Sequence, residues 1–311
     1  MAGFSVVTMV REDPAIVGHF ARYYRSLGAE RIFICFDGYT PEPELAAPGR
    51  ELIVIGDDFW RMAGGKRPEA LEARQHAAYA HCLARCQSEW LLVVDCDEYV
   101  FGPEPVAALL DTVPDGIDGI RLRTAEAVWG HGDDVTMPWG ATHFRLAYEN
   151  RPLWYALRWL LHGLDAGFFH RGVIGHVGGK QFVRTGRGVE EVRAHVAFRE
   201  GRMITRWADS LGPRSTGFFV GHFDAVGLPR WRAKWEKRFS GIGRVDHMRP
   251  ARRRQVRAIS RTFARGGGAP EKLFSRFYRL TGWRYKLLEK LGLAFRQPLF
   301  DMPLENDTHG H

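Results

Sequence analysis

Glu89-Trp90-Leu91-Leu92-Val93-Val94-Asp95-Cys96-Asp97-Glu98-Tyr99 decides how this chain folds. Trp90 to Val94 is an unbroken apolar run of strand length, the pattern of a β-strand buried on both faces. It stops abruptly at Asp95, Asp97 and Glu98. In extended backbone Asp95 and Asp97 project to one side and Cys96 to the other. The expectation is a pair of carboxylates at the end of a buried strand.

Upstream, Phe4 to Val10 is a second buried, β-branched run. Asp13-Pro14 then opens a helix, with Asp as N-cap and Pro at the first helical position. Ile16, Phe20, Tyr23, Tyr24 and Leu27 repeat at helical spacing, and Gly28 ends the helix. Arg31 to Phe36 is the next strand, closed by Asp37-Gly38; Glu51 to Ile55 is a third, and Pro68 to Cys86 is a long helix. Alternating strands and helices predict an α/β fold with a mostly parallel sheet flanked by helices. Ligands of such sheets bind beyond the carboxyl ends of the strands. Glu12 with Asp13, Asp37, and the Asp95 cluster all fall at such ends.

Downstream of about residue 120 the pattern loosens, and Gly, Trp and His become frequent. Gly179 to Arg184 reads as a strand with basic residues on one face, and Arg230 to Phe239 as a helix. Gly266-Gly267-Gly268 separates an arginine-rich stretch from a last helical region in which Leu273, Phe277, Leu280, Leu287, Leu288 and Leu291 fall near one face.

Composition excludes several classes. Hydrophobic residues at 45% and charged residues at 26% are those of an ordinary globular protein. The N-terminal residues carry no basic region of a signal peptide. The most apolar window, Leu153 to Phe169, is interrupted by Arg158, His162 and Asp165, so no spanning helix is expected. Four cysteines are too few for a disulfide scaffold; Cys35 and Cys96 read as buried thiols, and Cys82 and Cys86 share a helix face. A reduced, cytoplasmic protein is expected. The net charge of +8 is concentrated in Arg244, Arg249, Arg252, Arg253, Arg254, Arg257, Arg261 and Arg265, which suits an anionic partner or a peripheral contact with the inner face of a membrane. A solvated helix face is the plain alternative. Nucleic acid is not expected, because aromatic residues are not interleaved through the stretch. His-Glu-x-x-His is absent, and His309 and His311 read as a tail. Trp129, Trp139, Trp154 and Trp159 suit core packing, or stacking on a sugar ring.

Carboxylates at a strand end suit a hard divalent cation, Mn²⁺ or Mg²⁺, which keeps open positions for phosphate oxygens. Such a cation neutralises charge developing on a leaving diphosphate. The alternative is a pair of acids that cap a turn or face water.

Longer motifs carry a resemblance. Thr8 to Glu12 with the helix ending Tyr23-Tyr24-Arg25-Ser26-Leu27-Gly28, then Arg31 to Ile34 with Asp37-Gly38, Arg74-Gln75, and Glu89 to Tyr99 resemble family 2-like and family 92-like glycosyltransferases. Gly179-Lys180 to Arg184, Ala194-His195, and Gly221-His222-Phe223 with Arg230, Lys234 and Arg238 resemble the group's later blocks more loosely. The resemblance covers roughly residues 4 to 240. It implies a GT-A fold, a metal ion and a nucleotide-sugar donor, most often a UDP-sugar. It places Val10, Arg11, Glu12, Lys66, Arg74 and Gln75 near the donor and Asp37 on its base or ribose. Asp95 falls on the ribose or metal, Asp97 on the metal as chief ligand, and Lys180 and Arg184 on the diphosphate. His222 becomes a third metal ligand or a diphosphate contact, against the alternative of a buried or capping histidine; His195 is a weaker candidate.

An inverting transferase also needs a carboxylate base. Asp134, Asp165 and Glu191 are the candidates, with Asp133 and Glu190 competing. The implied organisation is a catalytic domain over 1–240, its donor half reaching about residue 120 and its acceptor half covering 121–240, followed by a basic helical extension over 241–311. The implied acceptor is a glycan, a lipid-linked or a protein-linked group. Nucleotidyl transfer is the second enzyme reading. It is disfavoured because Arg11-Glu12-Asp13-Pro14 occupies the place of a Gly-rich phosphate loop. A basic adaptor that binds anionic polymer or membrane is the non-enzyme reading.

Overall fold

A computed structural model describes residues 2–239 and 250–300 of the chain. Arg244, Arg249, His309 and His311 lie outside the described residues. In chain order the strands are β1 (Phe4–Val10), β2 (Ile32–Phe36), β3 (Arg50–Val54), β4 (Trp90–Val93), β5 (Glu98–Phe101), β6 (Gly119–Val128), β7 (His143–Leu146), β8 (Lys180–Arg184), β9 (Glu191–Val192), β10 (Ala197–Arg199), β11 (Arg202–Met203), β12 (Thr205–Trp207), β13 (Phe219–His222) and β14 (Ala294–Arg296). The α-helices are α1 (Pro14–Ser26), α2 (Asp57–Met62), α3 (Leu71–Arg85), α4 (Val106–Asp111), α5 (Arg151–His162), α6 (Leu228–Phe239), α7 (Pro250–Arg265), α8 (Ala269–Tyr278) and α9 (Gly282–Lys290).

The chain forms two units, Met1–Thr124 with Gly178–Val220, and Ala125–Val177 with Gly221–His311. The expected boundary at 240 is not where the units part. The reason is β8, which pairs with β4 and so brings residues 178–220 back into the first unit.

In the first unit the strand order is β3-β2-β1-β4-β8-β6. The pairs β1–β2, β2–β3 and β1–β4 are parallel, whereas β8 runs antiparallel to both β4 and β6, and β12 lies parallel to β6. This is the mostly parallel, helix-flanked sheet expected from the sequence. All seven residues of β1 are buried, as a strand covered on both faces requires. The alternate residues Val7 and Met9 join Phe33, Cys35, Leu91 and Val93 under Ala78, Tyr79 and Cys82 of α3. Asp13 caps α1 by accepting a 2.9 Å bond from the Ala15 amide, with Pro14 at the first helical position. Tyr23 and Tyr24 of α1 donate to the carbonyls of Val100 and Glu98 in β5 (2.7 and 2.9 Å). Cys35 and Cys82 bring their thiols within 3.5 Å of each other in the core.

The second unit holds the antiparallel pairs β6–β7 and β7–β14 and the helices α5 to α9. Its core includes Trp129, Trp231, Phe274 and Tyr278, which pack ring against ring. Trp129, Trp139 and Trp154 are buried, which favours packing over stacking on a sugar, but Trp159 is 56% exposed. Glu126 and Arg145 form a fully buried ion pair. Glu126 also accepts from the amides of Ile174 and Gly175 at 3.0 and 2.6 Å. A buried charge is retained only when paired and hydrogen-bonded in this way. Among the described residues no helix is long and apolar enough to cross a membrane.

Candidate functional site

β4, β1 and β2 lie side by side and parallel, so their carboxyl ends share one edge of the first unit's sheet. Val10, Asp37 and Asp95 stand there. Val10 is buried as the last residue of β1, and its carbonyl accepts from the Asp37 amide at 3.1 Å. Arg11 and Glu12 follow, both exposed.

The Asp95 segment is not extended as the sequence reading expected. Cys96 and Asp97 form a tight turn between β4 and β5, closed by the Glu98 amide donating to the Asp95 carbonyl at 3.0 Å. Glu98 Oε2 accepts from the Asp95 amide at 2.8 Å and fixes the turn from below. Cys96 is buried, and burial pushes its thiol well above the ordinary range, with the neighbouring acids adding to the effect. Asp95 and Asp97 remain partly exposed.

Beneath the turn lies a residue that the sequence reading placed elsewhere. Lys180 is fully buried, and its Nζ donates to Asp95 Oδ2 at 2.6 Å and lies 3.1 Å from Glu98 Oε2. Burial alone would lower its pKa, but Asp95 and Glu98 outweigh burial and raise it above the usual lysine range. The ammonium is therefore committed to two carboxylates, which corrects its assignment to a diphosphate. It holds Asp95 in place instead. Three carboxylates (Asp95, Asp97 and Glu98) and one ammonium leave two formal negative charges at the turn.

The approach to Lys180 is equally constrained. Gly179 has φ +68°, and a Cβ there would lie 2.3 Å from the Leu122 carbonyl oxygen. Only glycine fits. His195 donates from Nδ1 to the Gly179 carbonyl at 2.7 Å, so it braces the backbone that leads into β8.

Arg184 is also corrected. Antiparallel register sets Arg184 opposite Trp90, at the start of β4, whereas Asp95 follows its end. Its guanidinium lies 4.3 Å from the Trp90 ring centre, pairs with Glu89, and donates to the carbonyls of Val113 and Ile117 at 3.1 and 3.2 Å. It is a structural residue at the opposite edge of the sheet.

Asp37 is 4% exposed at the end of β2. Arg74 of α3 grips it with two bonds, Nε to Oδ1 at 2.9 Å and Nη2 to Oδ2 at 3.0 Å, and Arg67 adds Nη2 to Oδ1 at 2.8 Å. Arg67, not Lys66, carries this contact from the loop; Lys66 is exposed. Gln75 is half-buried beside Arg74 on the same helix. Burial would raise the Asp37 pKa, yet Arg74 and Arg67 together hold it below the ordinary carboxylate range. A depressed folded-state pKa contributes stability that is present above the unfolded value near 3.9 and is lost as pH falls through the folded one. Asp37→Asn is accordingly expected to flatten part of the chain's stability loss below about pH 4 in urea titrations; a variant that loses stability with acid as steeply as the parent would refute the coupling.

The proposed bases are each engaged elsewhere. Asp134 caps its own loop, accepting from the Thr136 amide and hydroxyl at 2.8 and 2.7 Å, and those bonds lower its pKa. Asp133 accepts from the Gly130 and Thr142 amides. Asp165 takes a 2.7 Å bond from Arg276 Nε. Glu191 pairs with Arg193 at 2.7 and 2.9 Å, which lowers its pKa, and Glu190 accepts from the Glu200 amide. A general base works best with a pKa near the working pH. The downward shifts of Asp134 and Glu191 run the other way.

His222, at the end of β13, belongs to the second unit, where it is 7% exposed. Its ring centre lies 5.0 Å from that of His176. Nearby, Asp224 accepts from Lys234 Nζ at 3.1 Å and from the Tyr278 hydroxyl at 2.5 Å. Burial opposes ionisation of Asp224, but Lys234 and Arg252 hold its pKa well below the ordinary range. The Glu126 bonds to Ile174 and Gly175 set the backbone just before His176.

No family model matches the chain, and no curated protein matches it. Solved structures similar to it include a mycobacterial protein, with 16% identity over 69% of this chain and 71% of that one and a TM-score of 0.35. They also include mannosyl-3-phosphoglycerate synthase from Rubrobacter xylanophilus, with 16% identity over 59% and 53% and a TM-score of 0.33. A third is glucosyl-3-phosphoglycerate synthase from Mycobacterium tuberculosis, solved with Mn²⁺, uridine diphosphate and phosphoglyceric acid, with 18% identity over 59% and 56% and a TM-score of 0.32. The chain thus spans just over half the length of the two synthases.

Proposed function

We propose that this chain is a metal-dependent glycosyltransferase of the GT-A type. It would move a sugar from a nucleotide-sugar donor, a UDP-sugar, to a glycan, lipid-linked or protein acceptor. The observation that carries the reading is the acidic turn at the carboxyl end of β4, held from below by Lys180 and Glu98. It shares its sheet edge with Asp37 and the end of β1, where ligands of open α/β sheets bind.

The donor set fits a hard divalent cation. Asp95 and Asp97 are oxygen ligands, partly exposed, and an ionised carboxylate has about four acceptor sites, so Asp95 keeps capacity beyond its bond to Lys180. The two formal charges left at the turn match Mn²⁺ or Mg²⁺. Asp97, with Asp95, would hold the ion, and the ion would neutralise charge on the departing diphosphate. Asp37, pinned by Arg74 and Arg67, presents a rigid polar edge to the base or ribose. Nucleotidyl transfer is less well supported, because the segment after β1 serves to cap α1 through Asp13.

Binding to the native state raises the melting temperature by mass action, by about 2.7 kcal/mol at a hundredfold excess over Kd, or several degrees. A thermal-shift screen of nucleotide sugars is expected to find a UDP-sugar that stabilises the chain when Mn²⁺ is present and much less when it is chelated. No response to any nucleotide sugar with Mn²⁺ would overturn the proposal.

A further inference from the structure

α5 is built inside out. At about 100° per residue, Tyr155 and Trp159 form one column, with Pro152, Ala156 and Leu160 beside it, and all five are exposed. Trp154 and Leu161 point into the core. A helix on a protein surface ordinarily turns polar residues outward; here the charged residues on or beside the outward arc are the exposed Arg151 and the half-buried Arg158. Tyr155, Trp159 and Leu160 are 60%, 56% and 59% exposed, and Leu164, in the turn that follows, is 94% exposed. The Arg158 guanidinium lies over the rings of Tyr155 and Trp159, 4.8 and 5.3 Å from their centres.

α7 supplies the charge. Its exposed residues Arg253 and Arg254 are adjacent, and Arg257, Arg261 and Arg265 follow at spacings of three or four, so the five form one stripe, and the helix contains no acid. α7 is fastened to the segment after α5: Gln255 Nε2 donates to the Phe168 carbonyl at 2.5 Å, and the Arg254 side chain lies against Gly167. The apolar arc and the basic stripe are thus carried by neighbouring segments of one unit.

We infer that α5 and α7 together dock on an anionic lipid surface. Trp and Tyr favour the level of the headgroups, Leu160 and Leu164 reach the acyl boundary, and arginine stems lie along apolar surface while their heads stay in water. The α7 stripe adds attraction to acidic headgroups. Nucleic acid would use the stripe but has no need of exposed Leu160 and Leu164. All these residues belong to the second unit, so the inference stands or falls separately from the glycosyl-transfer reading.

Co-sedimentation of the full chain with vesicles tests it. The protein is expected to pellet with phosphatidylcholine vesicles containing phosphatidylglycerol at low salt, and at least tenfold less with phosphatidylcholine alone. Trp159→Ser with Leu160→Ser should lower partitioning at least tenfold at an unchanged melting temperature. Arg254→Glu with Arg257→Glu should do the same and remove most of the salt dependence. Three results would overturn the inference: no pelleting with anionic vesicles, pelleting that the Trp159 and Leu160 changes leave intact, or preferential retention on single-stranded nucleic acid that survives those changes.

Discussion

Asp97→Ala is expected to reduce Mn²⁺-dependent release of UDP from the donor sugar by roughly a hundredfold or more, the scale on which loss of a charge-stabilising group costs rate. The turn holds three carboxylates and one ammonium, and removing Asp97 leaves a single formal negative charge to face a divalent ion. Asp95 alone does not replace it, because the Lys180 ammonium offsets one of the two carboxylate charges that remain. The turn itself should persist, since the bond that closes it runs between the backbones of Asp95 and Glu98. Asp97→Asn keeps the shape and discards the charge, so it should resemble the alanine variant in rate. Both should lose the increment that Mn²⁺ adds to the UDP-induced thermal shift while keeping the shift caused by UDP alone. An undiminished rate in either variant, with the metal requirement intact, would remove Asp97 from the proposal.

Much of the first sheet was legible because its signals are local. Apolar runs bounded by Asp-Pro, Asp-Gly and Gly28 fixed β1, α1 and β2 to within a residue or so. The same kind of reading found β4, β8 and α6. What it could not supply is pairing across the chain. Lys180 lies 85 positions from Asp95, and nothing in the spacing of either announces that an ammonium will be buried under the turn. Two basic residues four apart on a strand read as a polar face. In fact β8 is central, between β4 and β6, so both of its ends are buried and each cation found its own carboxylate. An acid that opens a strand ordinarily faces water, so nothing in the sequence marks Glu98 as buried; its full burial follows from β5 packing under α1. Arg67 is equally silent in the sequence, since its partner Asp37 is thirty positions away. The inverted face of α5 was present in the sequence as Tyr155, Trp159 and Leu160, but periodicity alone does not say which side of an all-round apolar helix meets the core.

Lys180→Met should be the most destabilising single change at the site. Glu98 has no exposure to solvent and Lys180 none either, so removing the ammonium breaks a fully buried ion pair, at a cost of about 3–5 kcal/mol. The raised lysine pKa keeps the pair intact through neutral pH, since that contribution is fully present below the unfolded value near 10.4 and is lost only as pH rises through the folded one. Adding Glu98→Gln removes the other half of the pair while its side-chain oxygen still accepts from the Asp95 amide. The double variant should therefore recover most of the lost stability in urea unfolding, as buried ion pairs replaced as a unit often do. Activity should not return with it. Asp95 would lack the 2.6 Å bond that orients its carboxylate, and an under-positioned ligand costs roughly ten- to a hundredfold in metal affinity or rate. Stability restored without catalysis would separate the two tasks of Lys180, neutralising Glu98 and aiming Asp95. If Lys180→Met proved as stable as the parent, the buried pair would not hold the turn; if the double variant recovered full activity, Asp95 would need no such support.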